Sequence, residues 1–504
     1  MEKRRSIFQV ILVIFAFILL FILVYSPHFS YRFPFHVDEW GGILKSMLLA
    51  DGLYLYGFAG AEMGFHFFLL ILSKFFNLVL IYKFLPAIWA VLSASALFYT
   101  SYKLTDDNFW IALLSVIFFA SIKSNVNLTG LWFFTPLTFS IPFIFLYIYF
   151  FSQGIQKQNK KFILISLAIM TFLLFFHAIS VLFAVPFLVI YALINFNYIK
   201  KEYKFFSLFL IIPIAGILFY KYIIMVSWSS ILSQYIIMVS WSSILSHLVT
   251  SLQFRQGWGI GELQNLPTEV YSLIGYLFAL FGMLIILLYS KNIRKYLVYV
   301  LWPAMAMISM LGYKLTGVSY LVPYQRNLYY LAISIPFLSA FGIYYLLKLI
   351  SAYAGNLRIS EKSRALLKYA IIAIIVVIVL FFAFKPYYSS DRRTQLYQLI
   401  NDKDYKDLIF LSSLQTIEKE RVIAPIEIST AMYPISQKIP LSTLNIYTKL
   451  SHKEDLELFF ELKDCDKKQE IIQKDNVRYV LSKEKIDCGW KRVYSENNYI
   501  YEVK

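Results

Sequence analysis

Long apolar runs separated by short polar segments make up most of the first 388 residues. The first run, Ile7 to Tyr25, contains no charge and has about the 20 residues that a helix needs to cross a bilayer core. Runs of similar character follow at intervals along the chain. We predict an α-helical membrane protein with eleven spans, at residues 7–25, 84–102, 108–122, 136–152, 161–176, 179–196, 204–220, 270–290, 296–312, 327–347 and 366–385.

The polar segments between these runs predict the topology. They carry short basic clusters, namely QKQNKK, YIKKEYK, KNIRK and LRISEKSR, and the chain starts with MEKRRS. Cytoplasmic loops are enriched in Lys and Arg, so an eleven-span chain has its N-terminus inside and its C-terminus outside. The net charge of +17 therefore indicates topology and contact with membrane lipids, and we predict no nucleic-acid partner.

One further apolar segment, residues 63–83, is interrupted by Lys74 and Asn77. Counting it as a span would invert every later loop. We predict that it forms a juxtamembrane helix that lies in the membrane interface.

The composition changes near Ser389. The last 116 residues hold 19 of the 30 acidic residues and contain no span-length apolar run. We predict two domains, a transmembrane domain at 1–388 and a small extracytoplasmic α/β domain at 389–504. Strand-like runs in the second are DLIFLSS, RVIAPIEI, VRYVLS and YIYEVK, and KEDLELFFELKD is helical. Its two cysteines, Cys465 and Cys488, form either a disulfide or two free thiols.

The segment YIIMVSWSSILS occurs twice, at 222–233 and at 235–246. A spacing of 13 residues is not a whole number of helical turns, so the two copies would face different directions on one helix. We interpret it as a duplication in a tolerant outer loop.

The first outer loop, residues 28–63, is rich in carboxylates for this chain. It holds Asp38, Glu39, Asp51 and Glu62, four of the eleven acidic residues that precede residue 389. The spacing of Trp40, Leu44, Met47 and Leu48 predicts a short helix that starts near Asp38. Asp38 then either caps this helix or takes a proton from a substrate hydroxyl at the membrane surface.

Five histidines fall at predicted outer loops or outer ends of spans: His28, His36, His66, His177 and His247. We name His36, His66 and His177, with Tyr324, as candidate substrate-binding residues. Asp38, Glu39 and His66 are candidate ligands for a divalent metal (Mg, Mn or Zn), although no pair has the spacing of a zinc motif.

Candidate phosphate-binding cations come from other outer loops. Arg326 lies where a late span begins, and Lys314 precedes it in the same loop. A guanidinium can bind a phosphate through two donors, and a lysine can add a point charge. The alternative is that Arg326 extends to lipid headgroups. Lys123, in the second outer loop, is the remaining candidate.

These features together resemble the membrane glycosyltransferases of the GT-C fold, which include protein O-mannosyltransferases, aminoarabinose transferases and archaeal relatives. The resemblance depends on HVDEW after the first span, MGFHFFLLIL closing the first outer loop, Arg326 before a late span, and the α/β tail. It implies a polyprenyl (dolichyl) phosphate sugar donor, a base role for Asp38 and a supporting role for Glu39. The chain lacks the WWDYG signature of oligosaccharyltransferases and the Arg-x-x-Asp-like pairing of bacterial relatives.

We therefore predict an inverting glycosyl transfer to a hydroxyl of a protein, lipid or glycan acceptor on the extracytoplasmic face. The alternative is a multi-span transporter or lipid flippase. Transporters usually hold carboxylates near mid-membrane, and the predicted spans between 84 and 385 have essentially none there. A purely structural or receptor protein would leave the acidic loop unexplained.

Overall fold

The computed structural model describes residues 2–51, 62–124, 130–216, 253–254, 266–290, 292–355, 360–388, 398–414, 420–444 and 453–503. The chain divides into two compact units. The bundle unit comprises Met1–Ser26 and Pro86–Ser390, and the sheet unit comprises Pro27–Leu85 and Asp391–Lys504. The predicted boundary after residue 388 lies two residues from the structural one. The first outer loop, however, belongs to the unit that contains the tail, and the predicted division had placed it in the transmembrane domain.

The bundle unit is built from apolar helices. In the described part of the chain, six helices are long and apolar enough to cross a membrane: Ile7–Phe29, Leu78–Leu104, Pro136–Gln156, Lys160–Ile194, Ile293–Thr316 and Tyr324–Ala352. Its full helix bounds are Glu2–Tyr25, Leu85–Leu104, Phe109–Ala120, Pro136–Gln156, Lys160–Ile194, Phe196–Lys201, Tyr203–Gly216, Pro267–Val270, Leu273–Tyr289, Ile293–Thr316, Tyr324–Gly355 and Glu361–Tyr388. A two-residue strand pair, β1 (Gln253–Phe254) with β2 (Ser319–Tyr320), is antiparallel. The duplicated segment at 222–246 lies outside the described residues.

The helix Lys160–Ile194 is two antiparallel arms joined at His177. His177 has non-helical angles, φ −162° and ψ 82°. Phe176 stacks on Phe139, near the start of the helix Pro136–Gln156. Further along, the Tyr191 hydroxyl donates to the Ser152 carbonyl at 3.3 Å, near the end of that same helix. The chain must therefore reverse at His177, as the two separate predicted spans 161–176 and 179–196 require.

Three of the basic clusters that were predicted to be cytoplasmic, QKQNKK, YIKKEYK and KNIRK, lie at one end of this bundle. Tyr191 also donates to the Arg294 carbonyl at 3.3 Å. In this region Lys295 pairs with Asp106 at 2.5 Å, and Lys160 pairs with Glu202 at 2.9 Å. The loops around residues 105, 158, 200 and 292 thus lie at the same end, which we call the basic end.

Two helices of the bundle approach each other through glycines. A Cβ atom added to Gly342 would lie 2.1 Å from the carbonyl oxygen of Phe278, and one added to Gly282 would lie 2.2 Å from that of Leu338. The Ser339 hydroxyl donates to the Gly275 carbonyl at 2.8 Å across the same contact. Small residues let membrane helices pack backbone to backbone, so this contact tolerates no side chain.

The sheet unit contains a five-stranded mixed sheet in the order β4-β3-β5-β7-β6. β3 is parallel to β4 and β5, whereas β7 is antiparallel to β5 and β6. Ile423, Phe459 and Val480 are fully buried in its core. The strands are β3 Arg421–Ile423, β4 Ile439–Pro440, β5 Val477–Ser482, β6 Lys491–Tyr494 and β7 Tyr499–Glu502, and the helices are Val37–Ala50, Met63–Ser73, Leu78–Ile81, Asp402–Ser413, Ile426–Ser436, Lys453–Glu461 and Cys465–Lys474.

The tail differs in part from the predicted pattern. VRYVLS and YIYE are strands and KEDLELFFE is a helix, as predicted, but DLIFLSS belongs to the helix Asp402–Ser413. Asn401 starts that helix by accepting hydrogen bonds from the Lys403 and Asp404 amides. In RVIAPIEI only the first three residues are strand. Cys465 and Cys488 form a disulfide.

Within the sheet unit, the first outer loop packs on the tail. The Tyr31 hydroxyl donates to the Ile400 carbonyl at 2.9 Å, and Arg32 pairs with Asp402 at 2.8 Å. The Tyr433 side chain packs against Leu44 and donates its hydroxyl hydrogen to Asp51. These contacts fix the helix Val37–Ala50 on the tail, where the candidate carboxylates lie.

The helix Met63–Ser73 is the second element of this loop. It has 11 residues, so it is about 16 Å long, which is too short to cross a bilayer core. The chain then breaks before a new turn that Asn77 starts by accepting from the Leu80 amide. The segment 63–83 therefore does not form one span-length helix, in agreement with the prediction.

Candidate active-site residues

The helix Val37–Ala50 begins with a reciprocal cap made by His36 and Glu39. His36 has extended angles, and its Nδ1 accepts a hydrogen bond from the Asp38 amide at 3.0 Å. Glu39 Oε2 accepts from the amides of Phe35 and His36 at 2.8 and 3.0 Å. Backbone amides at a helix start have no partner within the helix, so these side chains stabilise this start. Glu39 is only 1% exposed.

Asp38 is not the cap, which corrects one of the two interpretations of the sequence. Its side chain is half exposed, at 50%. Its nearest described ionisable partner is His36, whose Nδ1 lies 3.6 Å from Asp38 Oδ2. That nitrogen already accepts the Asp38 amide hydrogen, so it does not donate to the carboxylate while His36 is neutral. Asp38 therefore presents its carboxylate to solvent in the first turn of a helix.

The other candidate histidine of this unit, His66, is buried. It lies in the helix Met63–Ser73 and is 1% exposed. Burial lowers the pKa of His66 well below its usual value, and the positive charge of Lys45 lowers it further. His66 is therefore a neutral core residue at pH 7.

The proposed metal ligands do not come together in the described residues. No group of three His, Cys, Asp or Glu side chains there has the arrangement of a metal site. Glu39 Oε2 holds two backbone amides, and His66 is enclosed by the core. Asp38, Glu39 and His66 thus do not fit a three-ligand divalent site, and we derive no step through a metal.

Arg326, His177 and Tyr324 lie at the end of the bundle unit opposite the basic end. His177 Nδ1 lies 2.7 Å from the Ser180 hydroxyl, which lies 3.0 Å from the Tyr330 hydroxyl. Tyr330 is one turn after Arg326 in the helix Tyr324–Gly355, and the guanidinium interacts electrostatically with both His177 and Tyr330. The structure thus brings together Arg326 and His177, which are 149 positions apart in the sequence.

The two candidate lysines lie at this same end. Lys314 Nζ lies 5.1 Å from the centre of the Tyr324 ring, which is a cation–π contact. Lys123 donates from Nζ to the Thr268 carbonyl at 3.1 Å, and its backbone amide donates to Val270. Burial lowers the pKa of Lys123, and the negative charge of Glu269 opposes this effect. Of the two, Lys123 is the more restricted.

Ser180 and Tyr330 were not singled out from the sequence. Ser180 follows His177 by three positions, the spacing between a helix cap and the third helical residue. That spacing alone could have indicated the His177–Ser180 contact. Nothing in the local pattern connects either residue with Tyr330.

No protein-family model and no curated protein sequence matches the chain. Solved structures do match, among them those of the following two proteins. One is the archaeal oligosaccharyltransferase AglB from Archaeoglobus fulgidus in complex with an inhibitory peptide and a dolichol-phosphate, with 12% identity, a TM-score of 0.56, and coverage of 95% of this chain and 70% of AglB. The same enzyme in complex with Zn and sulfate gives 11% identity, a TM-score of 0.58, and coverage of 94% and 68%.

The second is ArnT from Cupriavidus metallidurans bound to undecaprenyl phosphate. It has 10% identity and a TM-score of 0.56, with coverage of 99% of this chain and 98% of ArnT. Both are glycosyltransferases of the GT-C type. The chain therefore has the GT-C fold, which confirms the fold that the sequence resemblance predicted. The similar TM-scores do not separate the oligosaccharyltransferase branch from the ArnT branch.

Proposed function

We propose that this protein transfers a sugar from a polyprenyl (dolichyl) phosphate donor to an acceptor hydroxyl, with inversion, on the extracytoplasmic face of the cell membrane. The observation that carries the proposal is the half-exposed Asp38 carboxylate in a chain of GT-C fold. AglB and ArnT were solved with dolichol-phosphate and undecaprenyl phosphate, respectively, which supports a lipid-phosphate donor here.

Asp38 acts as the general base in this proposal. The acceptor hydroxyl gives its proton to the Asp38 carboxylate as its oxygen forms a bond to the anomeric carbon. The bond between that carbon and the phosphate oxygen breaks, and the polyprenyl phosphate leaves with the electron pair. A single displacement inverts the anomeric configuration. Glu39 supports the reaction indirectly, because it holds the backbone before Asp38 in place.

The departing phosphate needs positive charge beside it, because negative charge develops on its oxygen as the bond breaks. Arg326 fits this role through the planar fork of its guanidinium, which can bind two phosphate oxygens. Lys314 adds a positive charge at the same end of the bundle unit. Lys123 fits less well, since its ammonium already donates to the Thr268 carbonyl. Tyr324 is buried, with Lys314 over its ring, and stays a proposed substrate-binding residue.

The topology in this proposal has eleven spans. The eleven are the six span-length helices, with Lys160–Ile194 counted as two crossings, the shorter helices Phe109–Ala120, Tyr203–Gly216 and Leu273–Tyr289, and the helix Glu361–Tyr388. The basic end is then cytoplasmic. The chain passes between the units at Ser26, Leu85 and Ser390, and in an eleven-span order all three points fall on the extracytoplasmic side.

A reporter inserted at Lys157 and one fused after Lys504 test this topology. We expect the first to be cytoplasmic and the second to be extracytoplasmic. A cytoplasmic Lys504 fusion would contradict the eleven-span order and the assignment of Asp38 to the outer face.

The function itself is tested with labelled donors. Membranes that contain the protein are incubated with a panel of polyprenyl-phosphate sugars labelled in the sugar, and the label is followed into protein, lipid and glycan fractions. We expect time-dependent transfer with release of polyprenyl phosphate, and the labelled fraction identifies the acceptor class. Membranes without the protein are the control. Equal labelling with and without the protein across the panel would refute the proposal.

A further inference from the structure

A buried hydrogen-bonded chain connects His177, Ser180 and Tyr330 in the bundle unit. The two contacts are 2.7 Å and 3.0 Å long, and the three residues are 2%, 0% and 0% exposed. Ser180 follows His177 in the second arm of Lys160–Ile194, whereas Tyr330 lies on the helix Tyr324–Gly355. These hydrogen bonds therefore join the point where the polypeptide reverses, at His177, to the helix that carries Arg326.

The direction of these hydrogen bonds follows from how many hydrogen atoms the three side chains can donate. Tyr330 has one hydroxyl hydrogen, and its hydroxyl has no described partner other than Ser180. If Tyr330 donates to Ser180, then Ser180 donates to His177 Nδ1. Both hydroxyl hydrogens of these three residues then have an acceptor. The opposite direction would leave the Tyr330 hydrogen buried without an acceptor, which is unfavourable. His177 then carries its own hydrogen on Nε2.

That Nε2 hydrogen has no protein acceptor among the described residues, although the ring is buried. Nε2 is not among the fully enclosed side-chain atoms that lack a partner, so it is open to an acceptor from outside the protein. The surroundings favour an anion. The Arg326 guanidinium interacts electrostatically with His177, and the second helical arm starts here, so its amides add partial positive charge.

We propose that His177 donates from Nε2 to a phosphate oxygen of the polyprenyl-phosphate group, beside Arg326, and that Ser180 and Tyr330 are positioning residues that fix its tautomer. The identity of the phosphate-bearing ligand rests on the proposed function. The hydrogen-bonding role needs no proton transfer by His177, so it adds no covalent step to the reaction.

A simpler role is that His177 only caps the second arm. Its extended angles are those of a helix N-cap, although the contact that its Nδ1 makes is with the Ser180 hydroxyl and not with a backbone amide. The capping role uses Nδ1, and the phosphate role uses Nε2. The two roles can therefore be separated by side chains that keep one nitrogen position and lose the other.

His177→Asn and His177→Gln form this matched pair. An Asn oxygen lies near the position of Nδ1, so it can accept from Ser180 and keep the cap, but it has no group at the position of Nε2. A Gln amide reaches the position of Nε2 and keeps a donor there, but it loses the contact with Ser180. The phosphate role predicts a loss with Asn and retention with Gln, and the capping role predicts the reverse.

The measurement is a titration of the purified full-length protein in detergent with a polyprenyl phosphate, with the matching polyprenol as the control for the tail. We expect His177→Asn to weaken phosphate-dependent binding by about tenfold or more, as for the loss of a hydrogen bond to a charged group. We expect His177→Gln to remain within a few-fold of wild type. Thermal unfolding of each variant measures separately how much the helix start at residue 177 contributes to stability.

Tyr330→Phe tests the positioning role. Without the Tyr330 hydroxyl, Ser180 can rotate and accept from Nδ1, so the other tautomer becomes available. We expect a loss of a few-fold in polyprenyl-phosphate affinity with little change in turnover of bound donor. Unchanged affinity would remove Tyr330 from the positioning role.

The outcomes separate this inference from the proposed function. If His177→Asn binds polyprenyl phosphate as tightly as the wild type does, the inference is overturned. Transfer activity can still be present in that case. If His177→Asn weakens polyprenyl-phosphate binding and His177→Gln does not, but the wild type transfers no sugar, the proposed function is refuted and the phosphate site is kept. Inorganic phosphate and an anionic phospholipid are added as competitors, and equal competition by either would refute the assignment to a polyprenyl phosphate.

Discussion

Two helix starts in this molecule use a histidine in the same way and differ in what they present. His36 starts the helix Val37–Ala50 in the sheet unit, and His177 starts the second arm of Lys160–Ile194 in the bundle unit. In both, Nδ1 makes the local contact, with the Asp38 amide in one case and with the Ser180 hydroxyl in the other. The polar third residue of the helix, Glu39 or Ser180, completes each start.

The difference lies in the second helical residue and in the surroundings. At the first start this residue is Asp38, which is half exposed, and at the second it is Ile179. The first start therefore presents a carboxylate, and the second contributes a buried hydrogen-bonded chain beside a guanidinium. At the first start the two side chains hold backbone amides, whereas at the second Nδ1 contacts a side-chain hydroxyl, and the neighbouring side chains decide the chemistry of each.

The strongest test of this contrast removes the exposed charge. Asp38→Asn keeps the size and leaves the cap made by His36 and Glu39 intact. Since it removes the proton acceptor, we expect the initial rate of sugar transfer to fall by roughly two orders of magnitude or more.

The matched control is Asp466→Asn. Asp466 is also an exposed acid at the second residue of a helix in the sheet unit, after the cap Asp464. Both substitutions lose a similar interaction with a helix N-terminus, about 0.3–1 kcal/mol, so their stabilities should fall alike. A transfer rate that is equally reduced by both would leave Asp38 without a catalytic role.

The second test separates the carboxylates within the first start. Glu39→Ala leaves the amides of Phe35 and His36 buried without their acceptor, so we expect a loss of roughly 1–3 kcal/mol in unfolding free energy. Glu39→Gln keeps a carbonyl acceptor and should lose less. Thermal unfolding of both variants measures this difference. If Gln is as damaging as Ala, the charge of Glu39 matters beyond the cap.

The third test concerns the guanidinium beside the second start. Arg326→Lys keeps the positive charge but loses the two-pronged geometry, so we expect polyprenyl-phosphate affinity to fall by about tenfold. A residue that only extends to lipid headgroups would tolerate lysine. Titration of wild type, Arg326→Lys and Lys314→Arg decides between these roles, and equal affinity in all three would make Arg326 a membrane anchor.

The smallest effect concerns His66, a buried histidine that starts no helix. Its pKa in the folded protein is lowered, so between that value and the unfolded value near 6.5 only the unfolded chain gains a proton. Stability is therefore highest above pH 6.5 and falls as the pH decreases through this window, by about 1 kcal/mol at pH 5.5. We expect His66→Leu to reduce this pH dependence of the thermal midpoint. An unchanged pH profile would show that another group is responsible.

Local patterns predicted the helices and the features that depend on nearby residues. The apolar runs identified the helices and the gap between residues 176 and 179, where His177 reverses the chain. The local patterns gave a wrong prediction where a strand-like pattern and a helix-start pattern overlap. DLIFLSS has strand-like residues, but Asn401 and Asp404, which both precede it, form a helix start that outweighs them. The cap at His36 was missed because Asp is the more usual capping residue.

Long-range relations had no local signal. Tyr31 contacts Ile400 across 369 positions, and Tyr433 contacts Asp51 across 382. These contacts depend on the folded surfaces of two distant segments, so the pattern could not show that the first outer loop belongs with the tail. For the same reason the pairing of Ser180 with Tyr330, 150 positions apart, was not predicted.

The glycine contact between Gly282 and Gly342 has a mechanical consequence for Arg326. Gly342 and Arg326 share one helix and are 16 positions, about 24 Å, apart along its axis. A side chain that lies roughly 6 Å from a helix axis moves about 2 Å when the helix turns by about 20°. Backbone atoms packed directly on each other at Gly342 leave no compressible side chain to absorb such a turn. The glycine contact therefore restricts rotation of this helix about its axis, and with it the direction of the Arg326 guanidinium.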